Sequence, residues 1–191
     1  MKIKTEKQYN RIIEGATAIL LAEGLAGFST LKVSRLIEMS QSNIYVYFKN
    51  KEDLLVSTFT YHQQKYVTEL TKAWQPTLPP RELLRSLIQA VYQFSQDFKD
   101  SLAIIWMVRQ STELRSKIPQ VEDDQIFKDL FNLLADYQKQ NIIRDYPLLY
   151  TTNVIFAAII NYIQLLDSNE LSNQEMPLDD LVTFVADFLF V

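Results

Sequence analysis

The side chains best suited to chemistry lie in one short stretch, where amide, hydroxyl and phenol groups are followed by lysines. Amide groups near the start of a helix can pair with adenine, whereas Tyr and Lys side chains donate hydrogen bonds to phosphate oxygens. We therefore expect Gln41, Ser42 and Asn43 to contact bases. The other residues predicted to contact DNA, through its backbone, are Thr30, Tyr45, Tyr47, Lys49 and Lys51.

Capping signals place these residues on two short helices. Ser29 and Ser40 are both suited to cap a helix, and they lie eleven residues apart. That spacing leaves about two and a half turns of first helix and a corner of three or four residues. The second helix runs from about Gln41 to Phe48, with Ile44 and Phe48 facing inward. The pattern predicts a helix-turn-helix.

Longer helices should flank this pair. Thr5 and Gln8 have the spacing of a capping box, and Gly24 is suited to stop the helix that runs from Glu6 to about Ala22. A further cap at Asn50 opens a helix that extends to about Trp74. The first helix braces the pair from behind, and the later one joins the DNA-binding part to the rest.

Over about residues 5 to 56 the chain resembles the tetracycline-repressor (TetR) family of bacterial transcription regulators. The resemblance is carried by Ser29-Thr30, Ser40 and Tyr45-x-Tyr47-Phe48-x-x-Lys51-Glu52-x-Leu54, with Arg11, Ile13, Ala16, Leu20 and Gly24 upstream. Three residues depart from the family pattern: Glu38 replaces the corner glycine, Ser42 a glycine or proline, and Asn43 a common threonine. Glu38 matters most, because glycine accepts a positive φ without strain and glutamate does not.

Composition and charge are compatible with this family. The 191-residue chain has a net charge of −4, yet residues 1–51 carry eight Lys or Arg against four Asp or Glu. The positive charge therefore surrounds the helix-turn-helix, as phosphate binding requires. With no cysteine, no apolar leader in MKIKTEKQYN and apolar runs of at most seven residues, the chain is expected to be cytoplasmic and to have no membrane span.

The sequence predicts an all-α protein of about nine helices. Glycines are scarce, and no strand-like alternation persists. We expect an amino-terminal three-helix DNA-binding domain at residues 1–50 and a larger helical effector-binding and dimerisation domain at 51–191. The last two helices, about Pro147 to Asp167 and Leu178 to Val191, are apolar on more than one face, which predicts a homodimer unless they are core helices of a monomer. The dimer residues predicted are Phe156, Ile160, Ile163, Phe184 and Phe188.

No catalytic or metal-binding constellation is present, so neither enzyme activity nor a cofactor is expected. His62 is the only histidine and lies on an apolar stripe, which favours a packed, hydrogen-bonded core residue. The family resemblance implies an effector cavity lined by apolar groups with a few polar ones. The candidates for that cavity are Tyr92, Phe94, Phe98, Trp106, Met107, Arg109, Gln110, Phe127, Phe131 and Phe156, each of which core packing also explains.

Three functions are compatible with these residues. The first is a repressor that a small hydrophobic or aromatic ligand releases from an inverted-repeat operator. The second is a regulator of the same fold that a protein partner controls. The third, an all-helical enzyme or carrier of apolar ligands, is disfavoured by the missing catalytic groups and by the basic amino-terminal part. Neither the operator sequence nor the effector can be deduced from the sequence.

Overall fold

A computed structural model describes residues 5–120 and 123–191. Over these residues the chain forms nine helices, which confirms the predicted all-α fold. An isolated antiparallel bridge also joins Ile143 to Phe190. The helices are α1 (Glu6–Gly27), α2 (Thr30–Leu36), α3 (Gln41–Tyr47), α4 (Lys51–Ala73), α5 (Pro80–Asp97), α6 (Lys99–Gln110), α7 (Gln125–Lys139), α8 (Leu148–Asp167) and α9 (Leu178–Leu189).

The described residues form two compact units. The first contains the chain up to Tyr66 together with Phe98–Gln120, and the second contains Val67–Asp97 together with the residues from 123 onward. The helix-turn-helix therefore shares a compact unit with most of α4 and with α6. The predicted functional division into residues 1–50 and 51–191 stays a prediction.

In the first unit, α1 packs against α2 and α6. Its buried stripe includes Ile12, Ile13 and Leu20, as the helical spacing predicted. Gly15 allows the close approach of α1 to the end of α2, because a Cβ atom at that position would lie 2.4 Å from Ile37 Cγ2. Gly24 interrupts the helix at φ 66, close to the predicted stop, although one further turn follows it.

A chain of hydrogen bonds through His62 connects three helices of the first unit. Thr17 on α1 donates its hydroxyl hydrogen to the Ile13 carbonyl oxygen at 2.9 Å, so its Oγ1 accepts from His62 Nε2 at 2.8 Å. His62 Nδ1 is then an acceptor, and the Ser101 hydroxyl of α6 donates to it at 2.8 Å. The neutral imidazole is therefore fully paired, and His62 is the packed core residue that the sequence predicted.

The second unit is held together by α5, α8 and α9, which pack on one another. Arg85 of α5 forms an ion pair with Asp179 of α9. Tyr162 of α8 donates its hydroxyl hydrogen to the Met176 carbonyl oxygen at 2.9 Å, which secures the loop between α8 and α9. Arg144 donates to the carbonyl oxygen of Phe188 at 3.1 Å and so neutralises the end of α9.

Helix α8 has an unusual amount of uncovered apolar surface. By length and composition alone it is the one described helix that could cross a membrane, and 28% of its most apolar 18-residue stretch is buried within the chain. The sequence predicted no membrane span because its unbroken apolar runs are short, but the mean hydropathy of α8 over 18 residues is high enough for a span. Core helices of proteins outside membranes can be equally apolar, so this composition shows that α8 has apolar surface and does not show what covers it.

The His62 network predicts a pH-dependent stability. Burial lowers the pKa of His62 from its usual 6.5 to about 4; nearby Lys65 lowers it further and Asp100 opposes the shift. Between these values the unfolded chain binds a proton that the folded chain does not, so stability falls as the pH falls through this window. Urea denaturation at pH 7 and at pH 5 measures this effect. Between the two pH values the free energy of unfolding should fall by about 2 kcal/mol more for the parent than for His62→Gln.

The comparison with His62→Gln cancels the contribution of carboxylates, which titrate in both proteins. Both are measured at one protein concentration, so that any association affects them alike. Equal losses of stability in the two proteins would show that the histidine is not protonated preferentially on unfolding.

Candidate nucleic-acid interface

Three side-chain caps fix the ends of the helices around the candidate interface. Ser29 Oγ accepts from the Lys32 amide at 3.2 Å, and Ser40 Oγ accepts from the Asn43 amide at 3.3 Å. Asn50 Oδ1 accepts from the Asp53 amide at 2.8 Å at the start of α4. These bonds satisfy amides that a helix start leaves unpaired. The three predicted caps are therefore confirmed, and the helix-turn-helix begins and ends where the sequence indicated.

The corner between α2 and α3 has the left-handed geometry that glycine favours, although glutamate occupies it. Glu38 lies at φ 49. Its amide donates to the Arg35 carbonyl oxygen at 3.2 Å, and the next amide, of Met39, donates to the Ser34 carbonyl oxygen at 2.9 Å. This pair of bonds defines a Schellman motif, which satisfies the last carbonyls of α2. The motif holds Glu38 in a conformation that costs about 1–2 kcal/mol for a residue with a Cβ atom.

Helix α3 is oriented by the two apolar residues on its inner side. Ile44 is completely buried, and Phe48 at the C-cap is 2% exposed, with its ring centroid 5.3 Å from that of Tyr9 on α1. The opposite side of the helix, formed by Ser42, Tyr45 and Val46, faces solvent. Val46 was not among the predicted contacts. Its spacing of four residues from Ser42 was the signal that could have placed it on this face.

Thr30 joins the two helices of the motif through its hydroxyl. It is the first residue of α2 and is 5% exposed. Its Oγ1 accepts from Gln41 Nε2 at 2.7 Å and lies 3.1 Å from the hydroxyl oxygen of Tyr45. Gln41 and Tyr45, which were each predicted to contact DNA, therefore both contact Thr30. The Thr30 hydroxyl, also predicted to contact DNA, contacts these two protein groups instead.

Tyr47 connects α3 to the start of α1. Its hydroxyl accepts from the Thr5 amide at 3.0 Å and donates to Gln8 Oε1 at 2.7 Å. Thr5 Oγ1 caps α1 as predicted, by accepting from the Gln8 amide at 3.3 Å. The Gln8 side chain, however, does not return to the Thr5 amide as a capping box requires, because the Tyr47 hydroxyl lies between them. The phosphate contact expected of Tyr47 stays a prediction.

The lysines of this region lie at its surface. Lys49 and Lys51 have exposed side chains, and the Lys51 ammonium lies 5.9 Å from the ring centroid of Phe28. Lys32 is also at the surface, where it pairs with Glu23 and donates to the Gly27 carbonyl oxygen at 2.9 Å. These positions leave ammonium groups of Lys49 and Lys51 available to phosphate oxygens.

The candidate effector residues divide between the two compact units. The first unit contains Phe98, Trp106, Met107, Arg109 and Gln110, and the second contains Tyr92, Phe94, Phe127, Phe131 and Phe156. Within the first unit, Arg109 donates to Gln63 Oε1 at 2.6 Å, and its guanidinium carbon lies 5.3 Å from the ring centroid of Phe59. The guanidinium is thus fixed against an aromatic ring and a buried amide.

The predicted dimer residues differ in exposure. Ile160 and Ile163 are 3% and 6% exposed within the single chain, so they leave almost no surface for a second subunit. Phe184 is 62% exposed, and Phe156 and Phe188 are half-buried. Further exposed apolar side chains near the ends of α8 and α9 are those of Tyr146, Leu149, Tyr150 and Val191. Sequence periodicity found the apolar faces but could not tell which of them the chain itself covers.

Comparisons with known proteins agree with this geometry. The family model described as "Bacterial regulatory proteins, tetR family" matches residues 12–58, which include the whole helix-turn-helix. The chain is 29% identical over 137 residues to the fatty acid metabolism regulator protein of Bacillus subtilis (strain 168), covering 70% of this chain and 67% of that one. It spans less than half the length of three other HTH-type transcriptional regulators from the same strain.

Solved structures are similar along the whole chain. A protein from Lactobacillus plantarum assigned as a transcription regulator is 27% identical, with a TM-score of 0.77 and coverage of 96% of this chain and 98% of that one. The fatty acid degradation regulator FadR from Bacillus halodurans is 22% identical, with a TM-score of 0.69 and coverage of 97% of each chain. At that identity the second similarity shows the fold alone.

Proposed function

The chain belongs to the TetR family of bacterial regulatory proteins and is a DNA-binding transcription regulator, and from this premise we propose that it is a ligand-released repressor. As a homodimer in the cytoplasm it binds an inverted-repeat operator through α3. The observation that carries the proposal is the outer face of α3, where polar groups are exposed while apolar groups hold the helix from behind.

The polar groups of the helix-turn-helix divide by chemistry. Gln41, Ser42 and Asn43 lie at the start of α3, where amide and hydroxyl groups can reach base edges in the major groove. Tyr45, Lys49 and Lys51 carry donors that suit phosphate oxygens. Val46 adds an exposed apolar group on the same face, which suits a thymine methyl group.

Substitutions of residues that contact bases and of residues that contact phosphates should change DNA binding in different ways. Asn43→Ala should cost about 1–3 kcal/mol of binding to the preferred duplex and relax the preference at one base pair of each half-site. Lys51→Ala should weaken binding to all sequences alike and reduce the slope of the salt dependence by about 1. A duplex selected from a random pool by the parent protein, together with its scrambled version, measures both effects by fluorescence anisotropy. The assignment fails if Asn43→Ala binds the two duplexes as the parent does.

Dimerisation is supported by the apolar surface of the second unit. Phe184 and Tyr150 are 62% and 63% exposed, and the ring of Phe188 stacks on that of Tyr146 with centroids 6.1 Å apart. Large exposed apolar patches are typical of interaction sites. We take the second copy to cover this patch, with Phe184, Phe188, Leu149 and Tyr150 replacing Ile160 and Ile163 at its centre. Two-fold symmetry then requires half-sites in inverted orientation, about 34–36 Å apart.

A charge at the centre of this patch should separate the subunits. Phe184→Glu should sediment as a monomer at micromolar concentration, because a carboxylate would have to be buried without a partner. Phe184→Leu keeps an apolar side chain and should remain a dimer. Analytical ultracentrifugation of the parent and both variants tests this interface. A monomeric parent, or a dimeric Phe184→Glu, would contradict it.

Ligand release is supported by the aromatic residues of the middle helices and by a relative. One relative, the fatty acid metabolism regulator protein of Bacillus subtilis (strain 168), is named for a role in fatty acid metabolism. An apolar effector, with fatty acids as the first class to test, suits the apolar candidates Phe98, Trp106 and Met107 of the first unit, and Arg109 of the same unit suits an acidic group. Such a ligand changes DNA affinity only if it binds one arrangement of the protein more tightly than another.

A fatty acid ligand should therefore compete with the operator. Compounds that raise the melting temperature of the free protein should lower its operator affinity by about 5- to 150-fold, and operator DNA should weaken ligand binding by the same factor. Thermal-shift screening followed by titration of the protein–operator complex measures both. A ligand that binds tightly and leaves operator affinity unchanged refutes the switch. The absence of any ligand in the class would instead favour control by a partner protein.

A further inference from the structure

We propose that Thr30 is a positioning residue for base recognition, with a buried hydroxyl that orients both the amide of Gln41 and the phenol of Tyr45. This inference rests on the proposed function, in which Gln41 contacts a base and Tyr45 a phosphate. It replaces the direct phosphate contact that the sequence suggested for Thr30. The observation behind it is the convergence of two α3 side chains on one oxygen atom of α2.

The geometry favours an internal role for this hydroxyl. Thr30 is 5% exposed, so little of its side chain is within reach of a phosphate. Gln41 and Tyr45 lie one turn apart on α3 and project from the same side of the helix. Their polar atoms lie 2.7 and 3.1 Å from Thr30 Oγ1, and both distances are those of hydrogen bonds.

The bond to Thr30 determines what Gln41 presents to DNA. Its amide nitrogen carries two hydrogens, and donating one to Thr30 leaves the other hydrogen and Oε1 for a base. Those two groups form the pair that binds adenine at N7 and N6. Without the Thr30 hydroxyl, the amide can rotate and present its nitrogen and oxygen in either order. When the Thr30 hydrogen is donated to Tyr45, the Thr30 oxygen can only accept from Gln41, so the bond holds the amide in the orientation that presents this pair to adenine.

The same hydroxyl links base recognition to phosphate binding. A phosphate oxygen only accepts hydrogen bonds, so a phosphate-bound Tyr45 must use its single hydrogen there. Its oxygen then accepts the hydrogen of Thr30, whose own oxygen accepts from Gln41. The three groups form a relay with one direction, from the amide through the hydroxyl to the phosphate, in which each bond polarises the next. Phosphate binding by Tyr45 thus strengthens the bond that orients Gln41.

The test compares base preferences rather than affinity alone. Duplexes carrying each single base change in the parent-selected operator are titrated with the parent, Thr30→Val, Thr30→Ser and Gln41→Ala. Thr30→Val is almost isosteric but lacks the hydroxyl, whereas Thr30→Ser keeps it. Thr30→Ala is a second hydroxyl-free variant with no added bulk, and thermal denaturation confirms that each variant is folded.

Thr30→Val and Thr30→Ala should lower the preference by about fivefold or more at the base pair that Gln41→Ala affects, and at no other. Thr30→Ser should keep the parent profile. The double variant Thr30→Val/Gln41→Ala should discriminate between bases as well as Gln41→Ala alone does, because the two changes remove the same base contact.

Two results would overturn the positioning role while leaving the proposed function intact. One is a Thr30→Val protein with the parent preferences. The other is equal weakening of all duplexes together with a smaller salt slope, which would identify a phosphate contact. If Gln41→Ala itself leaves every preference unchanged, or the parent selects no sequence, the proposed base contact fails and the inference fails with it.

Discussion

The whole interface depends on the burial of two apolar side chains behind a very short helix. Helix α3 has seven residues, and isolated helices below about 12–15 residues are marginal in water. Ile44 and Phe48 are buried, and each full burial of such a side chain contributes about 1.5–3 kcal/mol. The polar groups on the outer face thus owe their position to a hydrophobic contact on the inner face. Capping by Ser40 then fixes where the helix begins.

The brace behind α3 is itself fixed by polar contacts. Helix α1 contacts Phe48 through Tyr9, and the same helix is joined to α4 and α6 through Thr17, His62 and Ser101. The Ile13 carbonyl can only accept, so it sets the direction of every hydrogen bond in that chain. A charged imidazole would reverse one link and leave a hydroxyl misoriented in a buried site. The network therefore fixes one arrangement of three helices and one tautomer of the histidine.

The sequence predicted those features that depend on neighbours along the chain. The caps at Ser29, Ser40 and Asn50 are local, because donor and acceptor are three residues apart. The Tyr47 bond to Thr5 spans 42 residues, and no periodicity encodes it. The burial of Ile160 was likewise beyond prediction, because apolar spacing shows that a face needs a cover but not which element covers it.

The corner at Glu38 has a consequence for how freely this motif can vary. Two backbone hydrogen bonds hold its left-handed geometry, and they are available to any residue with an amide group. Glycine is therefore favoured at this position but not required. Another residue lowers the free energy of unfolding by about 1–2 kcal/mol, which good packing elsewhere in the first unit can offset. Genetic drift at this corner is thus limited by the reserve of folding free energy, and a family search that insisted on glycine would miss members that retain the same turn.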